Sequence, residues 1–116
     1  MKIIIGTAVL VFAMTASASV VAQGNIVSGN QLKKLISGKC ASYADRSAGT
    51  MCFKRNGKIV YDDREYGEGV GKWYFKGNSV CQIYPDSKED SGCARMIKTK
   101  GKGRYKDEMG TSYRFH

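Results

Sequence analysis

Basic side chains recur at every second position late in the chain. Lys98, Lys100, Lys102, Arg104 and Lys106 alternate with Thr99, Gly101, Gly103 and Tyr105. On one continuous strand all five would leave the same face and form a cationic stripe. If Lys100 to Lys102 is instead a turn, they form a cationic tip flanked by two strand positions. Either arrangement concentrates positive potential and attracts anions at short range, which is recognition chemistry and not bond-making. The formal net charge of +9 points the same way. The competing reading is a solvated lysine-rich face that keeps the protein soluble. Tyr74, Tyr84, Tyr105 and Tyr113 lie in or beside these basic segments. A tyrosine ring on a sheet face can stack on sugars or bases. More often it packs on a neighbouring strand with its hydroxyl at the rim.

Carboxylates gather in two places. Asp62, Asp63, Glu65 and Glu68 precede the single tryptophan, and Asp86, Glu89 and Asp90 sit between Cys81 and Cys93. Neither group has the ligand spacing of a calcium loop, so no metal is expected. A carboxylate pair can hydrolyse a glycosidic bond, but only within a cleft, and a small domain filled by its own side chains has little room for one. The sole histidine, His116, is terminal, a poor foundation for a nucleophile's base. Gly67, Gly69 and Gly71 lead into a strand where a phosphate loop would lead into a helix, and read as a flexible loop or bulge. The expectation is a protein that is not an enzyme and carries no cofactor.

The four cysteines suit staples better than ligands. Cys40 and Cys52 are twelve positions apart, as are Cys81 and Cys93. Four cysteines allow three connectivities, and the equal spacing favours Cys40–Cys52 and Cys81–Cys93. With no C-x-x-C and no supporting histidine, zinc and redox roles recede. Each bridge closes a loop of about 13 residues, worth on the order of 3 kcal/mol.

Disulfides imply an oxidising compartment, and the N-terminus supplies a route to one. Met1-Lys2 is a short positive start, Ile3 to Met14 is apolar, and small residues follow. Residues 1–22 therefore read as a signal peptide, with cleavage after Ala22 preferred to cleavage after Ala18. The apolar run is shorter than the roughly 20 residues that span a bilayer. Residues 23–116 form one domain, periplasmic or secreted and not membrane-spanning.

Elements to position these residues follow from the turns. Asn25 to Gly38 reads as a short helix, with Ser28 or Asn30 as its cap and Leu32, Leu35 and Ile36 at helical spacing. Cys40 to Tyr43 is a strand. Thr50 to Arg55 and Lys58 to Asp62 flank Asn56-Gly57, and Val70 to Lys76 and Ser79 to Tyr84 flank Gly77-Asn78, both tight-turn signals. Trp73 and Phe75 share the inward face of their strand. Cys93 to Lys98 returns across the loop Pro85 to Gly92. Arg104 to Lys106 and Thr111 to Phe115 make a last hairpin. Fourteen glycines against one proline suit such hairpins better than a helical bundle. The expected fold is all-β: a small antiparallel meander barrel or sandwich of about eight short strands with a short N-terminal helix, closed to hide its edges.

In their order along the chain these elements resemble a family of small exported, disulfide-containing β-barrel proteins of Gram-negative bacteria, labelled only as a domain of unknown function. The resemblance runs through Leu32-Lys33-Lys34-Leu35-Ile36-Ser37-Gly38, Phe53-Lys54-Arg55-Asn56-Gly57 and Gly71-Lys72-Trp73. It continues through the Cys81 to Cys93 hairpin and ends at Gly110-Thr111-Ser112-Tyr113. Cys40 and Cys52 are additions to the pattern. The resemblance implies fold and compartment and brings no active site.

The function expected is non-catalytic binding of an anionic envelope component through Lys98, Lys100, Lys102, Arg104 and Lys106. Lipid, polysaccharide or protein would serve as partner, and nucleic acid is not obligatory. An alternative is a small protein inhibitor of a hydrolase, a lysozyme or protease, acting through the Pro85 to Gly92 loop. Against lysozyme, usually basic itself, so basic an inhibitor is electrostatically awkward. An envelope structural role is the third reading.

Overall fold

A computed structural model describes residues 25–116. The expected signal peptide, 1–22, lies outside the described residues. The elements run β1 (Ile26–Val27), α1 (Gly29–Ile36), β2 (Lys39–Ala44), β3 (Ala48–Phe53), β4 (Lys58–Asp63), β5 (Gly67–Lys76), β6 (Ser79–Ile83), β7 (Gly92–Lys98), β8 (Arg104–Asp107) and β9 (Ser112–Phe115). From β2 to β9 each strand pairs antiparallel with the next, and β9 returns to β2, Tyr113 opposite Tyr43. The result is an eight-stranded, closed, all-β meander barrel with one helix, so its strands present no long open edge.

Both tight-turn signals place hairpins. Gly57 and Gly77 have φ of 89° and 60°, a conformation that costs glycine little and other residues more. The disulfides pair as the equal spacing favours. Cys40 faces Cys52 across β2 and β3, and Cys81 faces Cys93 across β6 and β7, with Cα separations of 4.0 and 3.9 Å. They brace opposite walls of the barrel.

Alternation assigns the interior. Phe53, Ile59 and Met96 are fully buried, and Leu32 and Ile36 of α1 plug one end against them. Trp73 is in the core as expected. Its ring meets Phe53 and Phe75 edge-on, and its indole N–H donates to the Lys54 carbonyl at 2.8 Å. Outward positions of the same strands carry Asp62, Glu68, Lys72, Lys106 and Arg114, all exposed. An apolar inside and a charged outside reverse the pattern of a membrane-spanning barrel. Among the described residues, no helix is long and apolar enough to cross a membrane.

Two expectations are corrected here. The helix does not fill Asn25 to Gly38. Ile26 and Val27 are extended, paired with Ile97 and Met96 of β7, where they take up the place β6 leaves on turning at Gly77-Asn78. The Gly29 N–H donates to the Asn78 side chain at 3.2 Å, fixing that join. Ser28 is the N-cap residue, but its side chain makes no cap bond. The stretch Gly67 to Gly71 is no loop or bulge either, because it is the first half of β5. Gly69 and Gly71 face inward where tyrosines lie across the backbone. A Cβ on Gly69 would fall 2.3 Å from the Tyr61 hydroxyl, and one on Gly71 would fall 2.8 Å from Tyr84.

Candidate functional site

In a meander barrel successive turns alternate between two ends, and the charges of this chain alternate with them. The turns β2–β3, β4–β5, β6–β7 and β8–β9 share one end. All ten acidic residues lie in these turns or in the strand positions adjoining them, from Asp45 to Glu108. The turns β3–β4, β5–β6 and β7–β8 share the other end with α1. They bring Lys54, Arg55, Lys76, Lys100 and Lys102, with Lys33 and Lys34 on the helix beside them. The barrel is therefore polarised along its axis.

At the acidic end several carboxylates are engaged in structure. Asp63 is buried inside the wall, accepting from the Tyr43 and Ser47 hydroxyls and from the backbone N–H groups of Glu65 and Tyr66. Burial alone would push its carboxyl up, but these hydrogen bonds outweigh burial and hold it at about 2. Asp107, also buried, accepts from the N–H groups of Met109 and Thr111 and from the Tyr113 hydroxyl at 2.9 Å. Gln82 links Tyr113 to Tyr84. Arg46, in the β2–β3 turn, reaches the diametrically opposite β6–β7 turn, donating to Glu89 at 2.7 Å and Asp90 at 2.9 Å. Glu108 is paired with Arg95 at 2.6 Å, a hydrogen bond that lowers its pKa.

The basic end has no such partners. Among the described residues the ion pairs belong to Arg46 and Arg95 alone. The carboxylates cannot neutralise it from a distance either. Even on β4, Lys58 and Asp62 are separated by four residues, roughly 13 Å, beyond the Debye length of about 8 Å at physiological salt.

The expected stripe is rearranged within this end. Lys98 closes β7, Lys100 and Lys102 lie in the turn, and Arg104 and Lys106 belong to β8. The tip arrangement holds and the continuous strand does not. Positive φ at Gly101 and Gly103, 105° and 72°, turns the chain back, and Thr99 N–H donates to the Arg104 carbonyl at 3.0 Å. Nor do all five share a face. Lys98 follows the inward parity of Ala94 and Met96 at the rim, its ammonium 5.5 Å from the Tyr105 ring centre. Arg104 and Lys106 point outward. Of the four tyrosines, Tyr74 alone is exposed, while Tyr84, Tyr105 and Tyr113 pack into the interior.

The sequence reading missed Lys33, Lys34, Lys54, Arg55, Lys58, Lys72 and Lys76 as members of the same end, and Arg114 as the neighbour of Arg104. The signal was present. Carboxylates recur in alternate turns along the chain, and only the meander topology converts that alternation into two opposed poles.

One contact touches the discounted nucleophile chemistry. His116 continues β9 along β2, its N–H donating to the Cys40 carbonyl at 3.2 Å, and its Nε2 lies 3.1 Å from the Ser42 hydroxyl. The pair sits on the convex outer wall, and among the described residues no Asp or Glu bonds the imidazole, so no acid orients it. Compared with known proteins, the chain matches no family model, no curated protein and no solved structure.

Proposed function

We propose that this is an exported, non-catalytic binding protein that engages an anionic surface of the cell envelope end-on, through the basic end of the barrel. The observation carrying this is the complete sorting of carboxylates to the opposite end. A solvated, solubilising surface needs no such order, because interspersed charges solubilise equally well. A one-signed end of several turns favours a many-charged anion, and phospholipid headgroups in a membrane present one. Two disulfides are consistent with an oxidising compartment, and the leader-like N-terminus and the resemblance to small exported barrels support the periplasm or beyond. The test is co-sedimentation of the oxidised protein with phosphatidylglycerol-containing vesicles across a salt series. Binding should fall steeply with salt and should weaken when Lys98, Lys100, Lys102 and Arg104 are changed to Gln. Salt-insensitive binding, or none, contradicts the proposal.

A second reading keeps one specific support. The acidic β6–β7 turn is braced by Arg46 and by Ser91, whose hydroxyl bonds Tyr84 and Ser87. A pre-organised acidic loop suits inhibition of a basic hydrolase such as a lysozyme. The axial sorting also removes the awkwardness of a net-basic inhibitor, since the loop stands at the acidic end. Lysozyme activity measured with and without an excess of the protein decides it, unchanged rates ending this reading.

A further inference from the structure

The outer wall of β4 and β5 carries three rungs, and each pairs like with like. Lys58 stands opposite Lys72, Val60 opposite Val70, and Asp62 opposite Glu68. All six side chains point outward and are exposed, Val60 by 38% and Val70 by 58%. Like charges directly opposite each other destabilise an antiparallel ladder, and this hairpin has two such rungs at its two ends. Swapping one residue of each would have made two cross-strand ion pairs. The arrangement works against the isolated barrel.

It works for a pair of barrels. We propose that this wall is an isologous interface with a second copy of the chain, related by a two-fold axis running along the Val60–Val70 rung between the two sheets. That axis lays valines on valines. It sets Lys58 and Lys72 of one copy against Asp62 and Glu68 of the other, and repeats the match on the far side. Charge also selects the axis. A two-fold parallel to the strands would lay lysines on lysines and carboxylates on carboxylates. The whole molecules agree with the rungs, because this axis sets the barrels antiparallel and puts the basic end of each beside the acidic end of its partner. Ile83 flanks Lys72 on the lysine rung and Tyr74 stands one rung further along β5, both exposed beside the charged edge and not within the valine centre. Two convex walls meet over a modest area, so the dimer is weak and concentration-dependent.

The test is sedimentation equilibrium of the oxidised protein, recovered from cells expressing the full chain, up to about 1 mM. Salt is held near 0.15 M, where net-charge repulsion is screened beyond about 8 Å. Wild type should approach twice the monomer mass. K58E/K72E and D62K/E68K should each weaken self-association at least about tenfold, while an equimolar mixture of the two should restore dimers. All four sites are exposed, and Trp73 fluorescence and circular dichroism check that the variants fold. Amide shifts on dilution should concentrate on β4 and β5. A wild type that remains monomeric across the range overturns the proposal. So does either variant dimerising like wild type, or a mixture that stays monomeric.

Discussion

Arg104 lies directly opposite Arg114 in the ladder between β8 and β9, so two guanidinium groups leave the outer wall of the basic end side by side. Ser42 of β2 is the next outward neighbour of Arg114, and it brings no carboxylate. Opposed like charges cost stability in a folded sheet, and an anion placed between them reverses the sign of that cost. A site of this kind trades stability for binding.

That trade is measurable. Arg104→Thr should raise stability by about 0.5 kcal/mol at low salt, since it relieves the repulsion and places a β-favouring residue in a strand. The same change should weaken binding to anionic vesicles. Paired thermal melts and vesicle titrations check both signs together.

The acidic end predicts an acid limit. Asp63, held at about 2 in the folded protein against an ordinary 3.8, binds fewer protons folded than unfolded between those values. Its contribution is therefore fully present above pH 3.8 and is lost as pH falls toward 2. Asp63→Ala should remove this acid dependence. It should also cost about 3 kcal/mol, because the Tyr43 and Ser47 hydroxyls and two N–H groups lose their acceptor. Urea unfolding at pH 7 and pH 3 reads both effects.

An alkaline limit follows from the interior tyrosines. Burial foremost, then the hydrogen bond and charge of Asp63, pushes Tyr43 far above the usual 10.0. Burial also raises Tyr84 and Tyr113, with the Asp90 charge next for the former and the Asp107 charge next for the latter. Above pH 10 the unfolded chain releases these protons and the folded one keeps them, so stability falls as pH rises. Absorbance at the tyrosinate band should show these three tyrosines ionising in one step with the loss of circular dichroism.

Gly49 tests the inward-glycine arrangement. Its Cβ would lie 2.2 Å from the Asp62 carbonyl and 2.9 Å from the Tyr43 hydroxyl, so neither backbone nor ring has room for it. Gly49→Ala should cost about 2 kcal/mol or more, measured by urea unfolding. Gly77→Ala, at a turn with open space around it, isolates the backbone penalty alone.

Most of the barrel was legible in local signals. Asn56-Gly57, Gly77-Asn78 and the alternation around Trp73 each specify a hairpin or a face from a few neighbouring residues, and the two cysteine pairs sit across adjacent strands. Long-range effects were not legible. Ile26 and Val27 carry nothing that distinguishes a strand from the start of a helix until Met96 and Ile97 offer an edge. Gly67, Gly69 and Gly71 look like a loop because the tyrosines that fill the missing side chains of Gly69 and Gly71 come from β4 and from the end of β6. The basic stripe was visible as an alternation. Its true extent was hidden because Lys54, Lys76 and Lys100 come to share one end only when the meander closes.

The central claim is that the position of the positive charge matters, and not its total. Two variants of equal net charge separate these. One replaces Lys54 and Lys76 by Gln at the basic end, and the other replaces Arg64 and Lys88 by Gln at the acidic end. Both are compared with wild type for binding to phosphatidylglycerol vesicles at about 0.1 M salt. The account predicts that the basic-end variant binds several-fold more weakly while the acidic-end variant binds as wild type. Equal losses in the two variants would contradict it.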